Sequence, residues 1–254
     1  LTAFGLGKKT GIDLPGESPG ILITSRNVKR VDLARIGFGQ SVALTPIQMM
    51  MAANSVINGG KLMKPYIVSE IQTPDGETLE RFHPTVMAAP IRPETSDTMR
   101  LLLERVVSEG GGKNAAIAGY RIGGKTGTAQ VYKNGRVVRD THIGSFYGFA
   151  PVNDPQVSIL VIVKEADVPI DYGGTTAAPF ARQIMQEMLP YLGIDQENDE
   201  KDEEIEVPAL KGLTIGDAKR KLSQVGLESV TDGANTVVLD QLPPAGAKLV
   251  KGGH

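Results

Sequence analysis

The chain has 254 residues, a formal net charge of −2 and neither cysteine nor tryptophan. That length supports one sizeable core, or one domain with a small companion. The near-neutral balance, with no basic stripe carrying interleaved aromatics, gives no case for nucleic acid, and the lack of cysteine removes disulfides, a thiol nucleophile and thiolate metal sites. No run approaches the roughly 18 apolar residues of a membrane span, and no signal-peptide pattern is visible.

Residues 1–30 are rich in Gly and Pro. The stretch Phe4-Gly-Leu-Gly-Lys-Lys-Thr-Gly-Ile-Asp-Leu-Pro-Gly-Glu17 reads as irregular surface structure. Thr45 as N-cap with Pro46 at the first helical position predicts a helix through Met49–Ile57. Asn58-Gly59-Gly60 stops it, and Met49, Met50 and Met51 read as core rather than as a cofactor box. Tyr66 to Thr73 alternates, Asp75-Gly76 turns, and Thr78 to Phe82 completes a hairpin. Pro93 opens a helix to about Glu109, with Leu101, Leu102 and Val106 expected on its buried face and Gly110-Gly111-Gly112 ending it.

Arg121 to Val131 predicts a strand, from its β-branched and apolar flanks. Lys133-Asn134-Gly135-Arg136 follows as a strong hairpin signal. Gly144 to Phe149 and the apolar run Val157 to Val163 supply two further strands, the last expected to be buried on both faces. Short turns between them predict an antiparallel meander. A helix starting at Thr175 or Thr176, with Phe180, Ile184, Met185, Met188 and Leu189 as its stripe, should cover the meander. The fold class is therefore mixed α/β (α+β), an antiparallel sheet with flanking helices.

Residues 195–206 hold one lysine among eight acids, and read as a charged, self-repelling linker. Beyond it, a helix from Ile215 to Val225 carries the apolar stripe Ala218, Leu222, Val225. Two short strands are expected near Leu227–Val230 and Thr236–Leu239. Residues 207–254 then form a small α+β unit of about 50 residues, marginal by itself. The organisation expected is 1–194, a linker at 195–206, and 207–254.

The chemistry concentrates in Lys125-Thr126-Gly127-Thr128. On a strand, Thr126 and Thr128 share one face, while Lys125 points to the other or reaches around the edge. Gly127 lets a ligand backbone come close. Hydroxyls, a positive charge and N–H groups at one edge suit a carboxylate-bearing peptide and an oxyanion. The tripeptide alone is weak evidence, since a Thr-rich strand with a solvated lysine is common. His83, His142 and His254 show no metal-ligand spacing. His142 beside Asp140 is not read as part of a triad, for want of a nucleophile elbow.

The order and spacing of Phe4–Glu17, Gly37-Phe-Gly-Gln40 with Thr45-Pro46, and Lys125-Thr-Gly-Thr-Ala-Gln130 resemble the C-terminal part of a class B penicillin-binding protein transpeptidase domain, of division or sporulation type. Val207-Pro208, Leu210, Gly212, Gly226-Leu227 and Pro243-Pro244-Ala245-Gly246 resemble a PASTA domain. The resemblance implies the penicillin-binding-protein and serine β-lactamase-like fold, acting on the extracytoplasmic face of the bacterial cell membrane. It implies a peptidoglycan D,D-transpeptidase working through a serine acyl-enzyme, without metal or cofactor. Its partners would be stem peptides ending in D-Ala-D-Ala, β-lactams, and the cell-wall synthesis machinery. Lys125 would polarise a serine of a second motif and attract the terminal carboxylate. Thr126, Gly127 and Thr128 would bind substrate, and the Thr128 N–H would supply half of the oxyanion hole. The departure is large: the chain contains no Ser-x-x-Lys, and its one Ser-x-Asn, Ser25-Arg26-Asn27, follows the Phe4–Glu17 stretch rather than preceding it. In the family both precede the Phe4–Glu17 stretch, so the chain, opening on Leu1 inside a loop, is read as beginning after them and after any anchor. The alternatives are a penicillin- or peptidoglycan-binding sensor without turnover, and an acyl hydrolase of the D,D-carboxypeptidase or β-lactamase kind.

Overall fold

The structure, a computed structural model, describes residues 1–23, 26–133, 136–196, 204–231 and 236–250, without the side chains of Arg139, Asp140, Glu204 and Val250. It divides into two units, Leu1–Gln196 and Glu197–His254.

The first unit begins with a 3-10 turn at Thr2–Phe4 and a long irregular stretch that side chains hold in place. The Glu17 carboxylate accepts from the N–H groups of Thr10 and Gly11 and from the Thr10 hydroxyl. The Asp13 carboxylate accepts from the Ile67 and Val68 N–H groups. A short helix not foreseen in the sequence, α1 (Arg30–Gly37), follows. Its apolar residues Val31 and Leu33 are exposed, so it carries no buried stripe that a periodicity search would find.

Helix α2 (Pro46–Ile57) starts as expected. Thr45 Oγ1 accepts from the Gln48 N–H and Gln48 Oε1 accepts from the Thr45 N–H, a closed capping box. The buried Gln48 amide also donates to the carbonyls of Lys8 and Pro19, at 2.6 and 2.9 Å. One side chain thus caps the helix and ties down the Gly/Pro-rich stretch. Of the three methionines, Met51 is buried, Met50 half-buried and Met49 exposed, because successive helical residues point in directions about 100° apart. Strands β1 (Leu62–Met63), β2 (Glu70–Gln72), β3 (Thr78–Arg81) and β4 (Val86–Ala88) follow. β2 and β3 form the expected hairpin, and β1 pairs with β4, both antiparallel.

Helix α3 (Pro93–Ser108) turns a different face inward from the one expected. Leu101 and Leu102 are 55% and 50% exposed, whereas Ser96 and Val107 are buried and Leu103 is half-buried against α2. Polar anchoring sets this rotation. Ser96 Oγ donates to the Val56 carbonyl and accepts from the Gly59 N–H, and Arg100 donates to the Ile57 carbonyl. The C-terminal carbonyls of α2 are thereby satisfied by α3.

The central sheet is the predicted meander, in the order β5 (Gly123–Lys133), β6 (Arg136–Ala150), β7 (Val157–Lys164). Both pairings are antiparallel. The turn residues Asn134 and Gly135 lie outside the described residues, between the paired Lys133 and Arg136. One face of the sheet carries Phe146, Val157, Ile159, Val161 and Val163, which pack against Ala177, Ala178, Ala181, Met185 and Leu189. The other carries Tyr147, Phe149 and Leu160, packed against Ile57 and Val56 of α2 and Leu103 of α3. Strand β7 is an edge strand among the described residues, so its apolar side chains are half-buried rather than buried on both faces, and Ile162 is exposed.

After β7 the chain crosses to α4 (Gly173–Thr176) and α5 (Ala178–Tyr191). The α5 stripe is Ala178, Ala181, Met185 and Leu189, whereas Phe180 and Ile184 are 55% and 47% exposed. The stripe expected from the sequence includes those two, and the structure turns them outward.

The second unit holds β8 (Glu204–Glu206), α6 (Ile215–Gln224) and β9 (Lys248–Val250). Thr214 Oγ1 accepts from the Asp217 N–H and caps α6. Ala218 and Leu222 are buried together with Val207, Leu210 and Leu227. The two-stranded ladder pairs β8 with β9, so three residues counted in the charged stretch are strand. Residues 227–231 are not a strand, and Val237 makes only an isolated bridge with Thr214. Residues 232–235 lie outside the described residues.

Candidate active site

Two backbone bonds fix which way the Lys-Thr-Gly-Thr edge points. The His142 carbonyl accepts from the Glu165 N–H at 3.2 Å, and the His142 N–H donates to Asp171 Oδ2 at 2.6 Å. Both groups of His142 therefore face away from β5. In an antiparallel ladder, opposite residues either exchange both bonds or turn both pairs of groups outward, and the two kinds alternate. His142 is opposite Gln130, and the register runs unbroken from there to Lys125↔Tyr147. Thr128 and Thr126 are two and four residues from Gln130. They too turn N–H and C=O toward the edge that β6 does not occupy, while Lys125, Gly127 and Ala129 bond to β6. Among the described residues β6 is the only strand paired with β5.

The side chains follow the pleat. Thr126 and Thr128 are opposite Phe146 and Gly144, on the face that α4 and α5 cover. Lys125 is opposite Tyr147, on the other face, and reaches around: its Nζ donates to the Thr126 carbonyl at 2.9 Å. One edge thus presents an ammonium, two backbone N–H groups and an exposed Thr128 side chain. Behind Lys125, burial pushes the Tyr147 hydroxyl upward, so it stays protonated and donates to Asn54 Oδ1 at 2.8 Å.

A strap under this edge was not legible in the sequence. Asp171-Tyr172-Gly173-Gly174 runs beneath Thr126, Gly127 and Thr128. The Gly173 N–H donates to Thr128 Oγ1 at 3.3 Å, and Asn114 donates to the Gly174 carbonyl at 2.7 Å. A Cβ on Gly173 would lie 2.3 Å from the Gly127 carbonyl oxygen and 2.2 Å from that of Ser145; one on Gly174 would lie 2.6 Å from that of Gly111. The Gly-Gly pair opening α4 was the available signal, because nothing in a helix start demands two glycines unless another backbone comes close.

His142 does not enter a nucleophile–base pair. Its Nδ1 is 2.7 Å from Asp171 Oδ1, and its ring meets Tyr172 edge-on at 5.6 Å. Asp171 is 7% exposed. Burial opposes its charge, but the hydrogen bonds from the His142 ring and backbone N–H prevail and hold its carboxyl below the usual carboxylate range. The side chain of Asp140 lies outside those described, as does His254. Contrary to the sequence reading, a Gly-x-Ser-x-Gly is present, Gly16-Glu17-Ser18-Pro19-Gly20, but it lies in irregular chain rather than between a strand and a helix, so it forms no nucleophile elbow. Ser18 Oγ accepts from the Gly20 N–H.

The site thus stands on a three-stranded antiparallel sheet between helices, with a Lys-Thr-Gly-Thr strand at the edge that no described strand occupies. Residues 1–186 match the family model of the penicillin binding protein transpeptidase domain, and residues 205–254 match that of the PASTA domain. The chain belongs to the penicillin-binding protein transpeptidase family. It is 41% identical, over 260 aligned residues, to stage V sporulation protein D of Bacillus subtilis, covering 98% of this chain and 40% of that protein. A peptidoglycan D,D-transpeptidase FtsI homolog of Mesostigma viride is 31% identical over 172 residues, covering 63% of this chain and 29% of the relative. Among solved structures, penicillin binding protein 3 of Mycobacterium tuberculosis, complexed with ampicillin, superposes with a TM-score of 0.72 at 28% identity, covering 79% of this chain and 46% of that one. The chain spans less than half the length of each.

Proposed function

We propose that this chain forms the substrate-carboxylate and oxyanion wall of a serine-type peptidoglycan D,D-transpeptidase, whose nucleophile comes from a segment outside residues 1–254. The observation that carries this reading is the open β5 edge, where Thr126 and Thr128 turn their N–H groups outward beside the Lys125 ammonium. A stem peptide ending in D-Ala-D-Ala is an extended chain that can add to a free edge through main-chain bonds. Its terminal carboxylate finds the Thr128 and Thr126 hydroxyls, and Gly127 leaves room for its backbone. The Thr128 N–H is placed to stabilise the tetrahedral oxyanion, and loss of one such donor costs about 2.7–4 kcal/mol in the transition state. Lys125 polarises the second-motif serine. β-Lactams, as cyclic acyl donors bearing a carboxylate, use the same groups.

Similarity to the sporulation protein extends over 98% of this chain and so through its small C-terminal unit. This favours a role in cell-wall synthesis during sporulation, on the extracytoplasmic face of the membrane. No helix of the described residues is long and apolar enough to cross a membrane. The PASTA unit would then bind wall fragments or the synthesis machinery.

The test is labelling by a fluorescent penicillin. The 254-residue chain is expected to remain unlabelled, because no Ser-x-x-Lys is present. A longer chain that includes one should be acylated, and Lys125→Ala in it should slow acylation by about 10²-fold or more. Intact-mass labelling of the short chain, or full-rate acylation of the Lys125→Ala protein, would overturn the assignment.

A further inference from the structure

The segment from Glu165 to Asp171 closes on one residue. His142 accepts from Glu165 through its carbonyl, donates to Asp171 through its N–H, and meets the second Asp171 oxygen through its ring. An ionised carboxylate only accepts, so Nδ1 carries the proton in this pair. Glu165 holds a left-handed backbone, φ 52°, and its carboxylate is anchored by Lys133 of β5 at 2.8 Å. The next residues after Asp171 are the strap under the active edge. Thr175 and Thr176 hydroxyls donate back to the Tyr172 carbonyl, which fixes the strap from its other end.

We propose that His142 and Asp171 are positioning residues for the Thr128 hydroxyl. The clasp sets where Tyr172-Gly173-Gly174 passes beneath β5. Gly173 is the first residue of α4, so its N–H has no intrahelical partner; it goes to Thr128 Oγ1 instead. A hydroxyl has one proton to give and lone pairs to receive. With Gly173 occupying the acceptor side, the Thr128 O–H is turned outward as a donor, the role that recognition of an anion requires. The close approach of the strap depends on two glycines, since a Cβ at either would come within 2.6 Å of a facing carbonyl oxygen, so a small displacement at Asp171 is felt at Thr128. This inference rests on reading the β5 edge as a carboxylate site.

Two measurements separate the clasp from that reading. In the 254-residue chain, amide hydrogen exchange by NMR reports on the strap without any activity. Asp171→Asn should make the Gly173 amide exchange about tenfold faster, leaving Phe146 and Phe149 amides of β6 unchanged. His142→Ala should do the same, and His142→Asn, which keeps an N–H near the Nδ1 position, should restore part of the protection. An unchanged Gly173 amide overturns the proposal. So does loss of protection at Phe146 and Phe149 as well, since the pair would then hold the sheet and not the strap. In a longer, acylatable chain, benzylpenicillin is compared with its methyl ester, which lacks the anionic carboxylate. The parent should favour the acid, and Asp171→Asn should lose most of that preference. A parent indifferent to the ester rejects the carboxylate reading of the edge. A parent that discriminates, with an Asp171→Asn variant that discriminates equally, rejects the clasp.

Discussion

A carboxylate held below its ordinary titration range makes stability depend on pH in one direction. In the unfolded chain Asp171 titrates near the usual value of about 4; in the folded chain the His142 ring and N–H keep it ionised to lower pH. Its contribution is present above the unfolded value and lost as pH falls through the folded one. Glu165, held by Lys133 against burial, and Glu17, held by Thr10, shift the same way. The unfolding midpoint of residues 1–196 should therefore be level above about pH 5 and fall progressively below about pH 4. Asp171→Asn should lower the midpoint at neutral pH and flatten the acid limb, as read from urea melts across the range. An acid limb of unchanged slope in that variant would remove Asp171 from the account. This pair was invisible in the sequence, because 29 residues separate its members and His142 has a nearer acid in Asp140. The Thr45-Pro46-Ile47-Gln48 cap was legible, because all its bonds are local; the reach of Gln48 to Lys8 and Pro19 was not.

At the scale of elements, type and order were readable and facing was not. Apolar period, capping residues and glycine stops are properties of a short window, and they located α2, α3, the β2–β3 hairpin, the meander and α5. Which stripe turns inward depends on what it meets. On α5 two stripes compete: one with Phe180 and Ile184, and one with the small Ala178 and Ala181 followed by Met185 and Leu189. The second wins because Phe146 already fills the sheet face, between Gly144 and Gly148, and small residues let the helix approach it closely. Enlarging the buried stripe should then be costly and trimming the outer one nearly free. Ala181→Leu is expected to destabilise by about 1–3 kcal/mol through overpacking. Phe180→Gln should stay within about 0.5 kcal/mol in this chain. Chemical denaturation of the two variants checks the ranking, and the reverse order would mean that the face assigned to α5 is wrong. The free edge of β5 was also legible in outline, since the motif named its side chains; the outward direction of Thr126 and Thr128 required the register against His142.

For the whole molecule, the acidic stretch after α5 is where a protease is expected to act first. Residues 195–203 contain Asp195, Glu197, Asp199, Glu200, Asp202 and Glu203 with Lys201 as the only base and no apolar residue, so nothing in them can drive burial. The smaller unit closes on itself beyond that point. Val207, Leu210, Ala218, Leu222 and Leu227 make its core, with Ile205 of β8 and Leu249 of β9 packed against it. The β8–β9 ladder ties its first strand to its last. Placing Glu204–Glu206 in a strand narrows the stretch open to cleavage, because a paired strand must separate before a protease can take it. A glutamate-specific protease should therefore cut first after Glu197, Glu200 or Glu203, at a rate well above that at Glu228 or at any glutamate of α3. The released C-terminal fragment should keep the helical circular dichroism of α6, and the remaining large fragment should keep the unfolding midpoint of the intact chain's larger unit. Both readings come from one digestion followed by mass spectrometry and a melt of each fragment. A first cut between 207 and 231, or loss of the α6 signal once the stretch is severed, would show that the small unit depends on the rest of the chain for its fold.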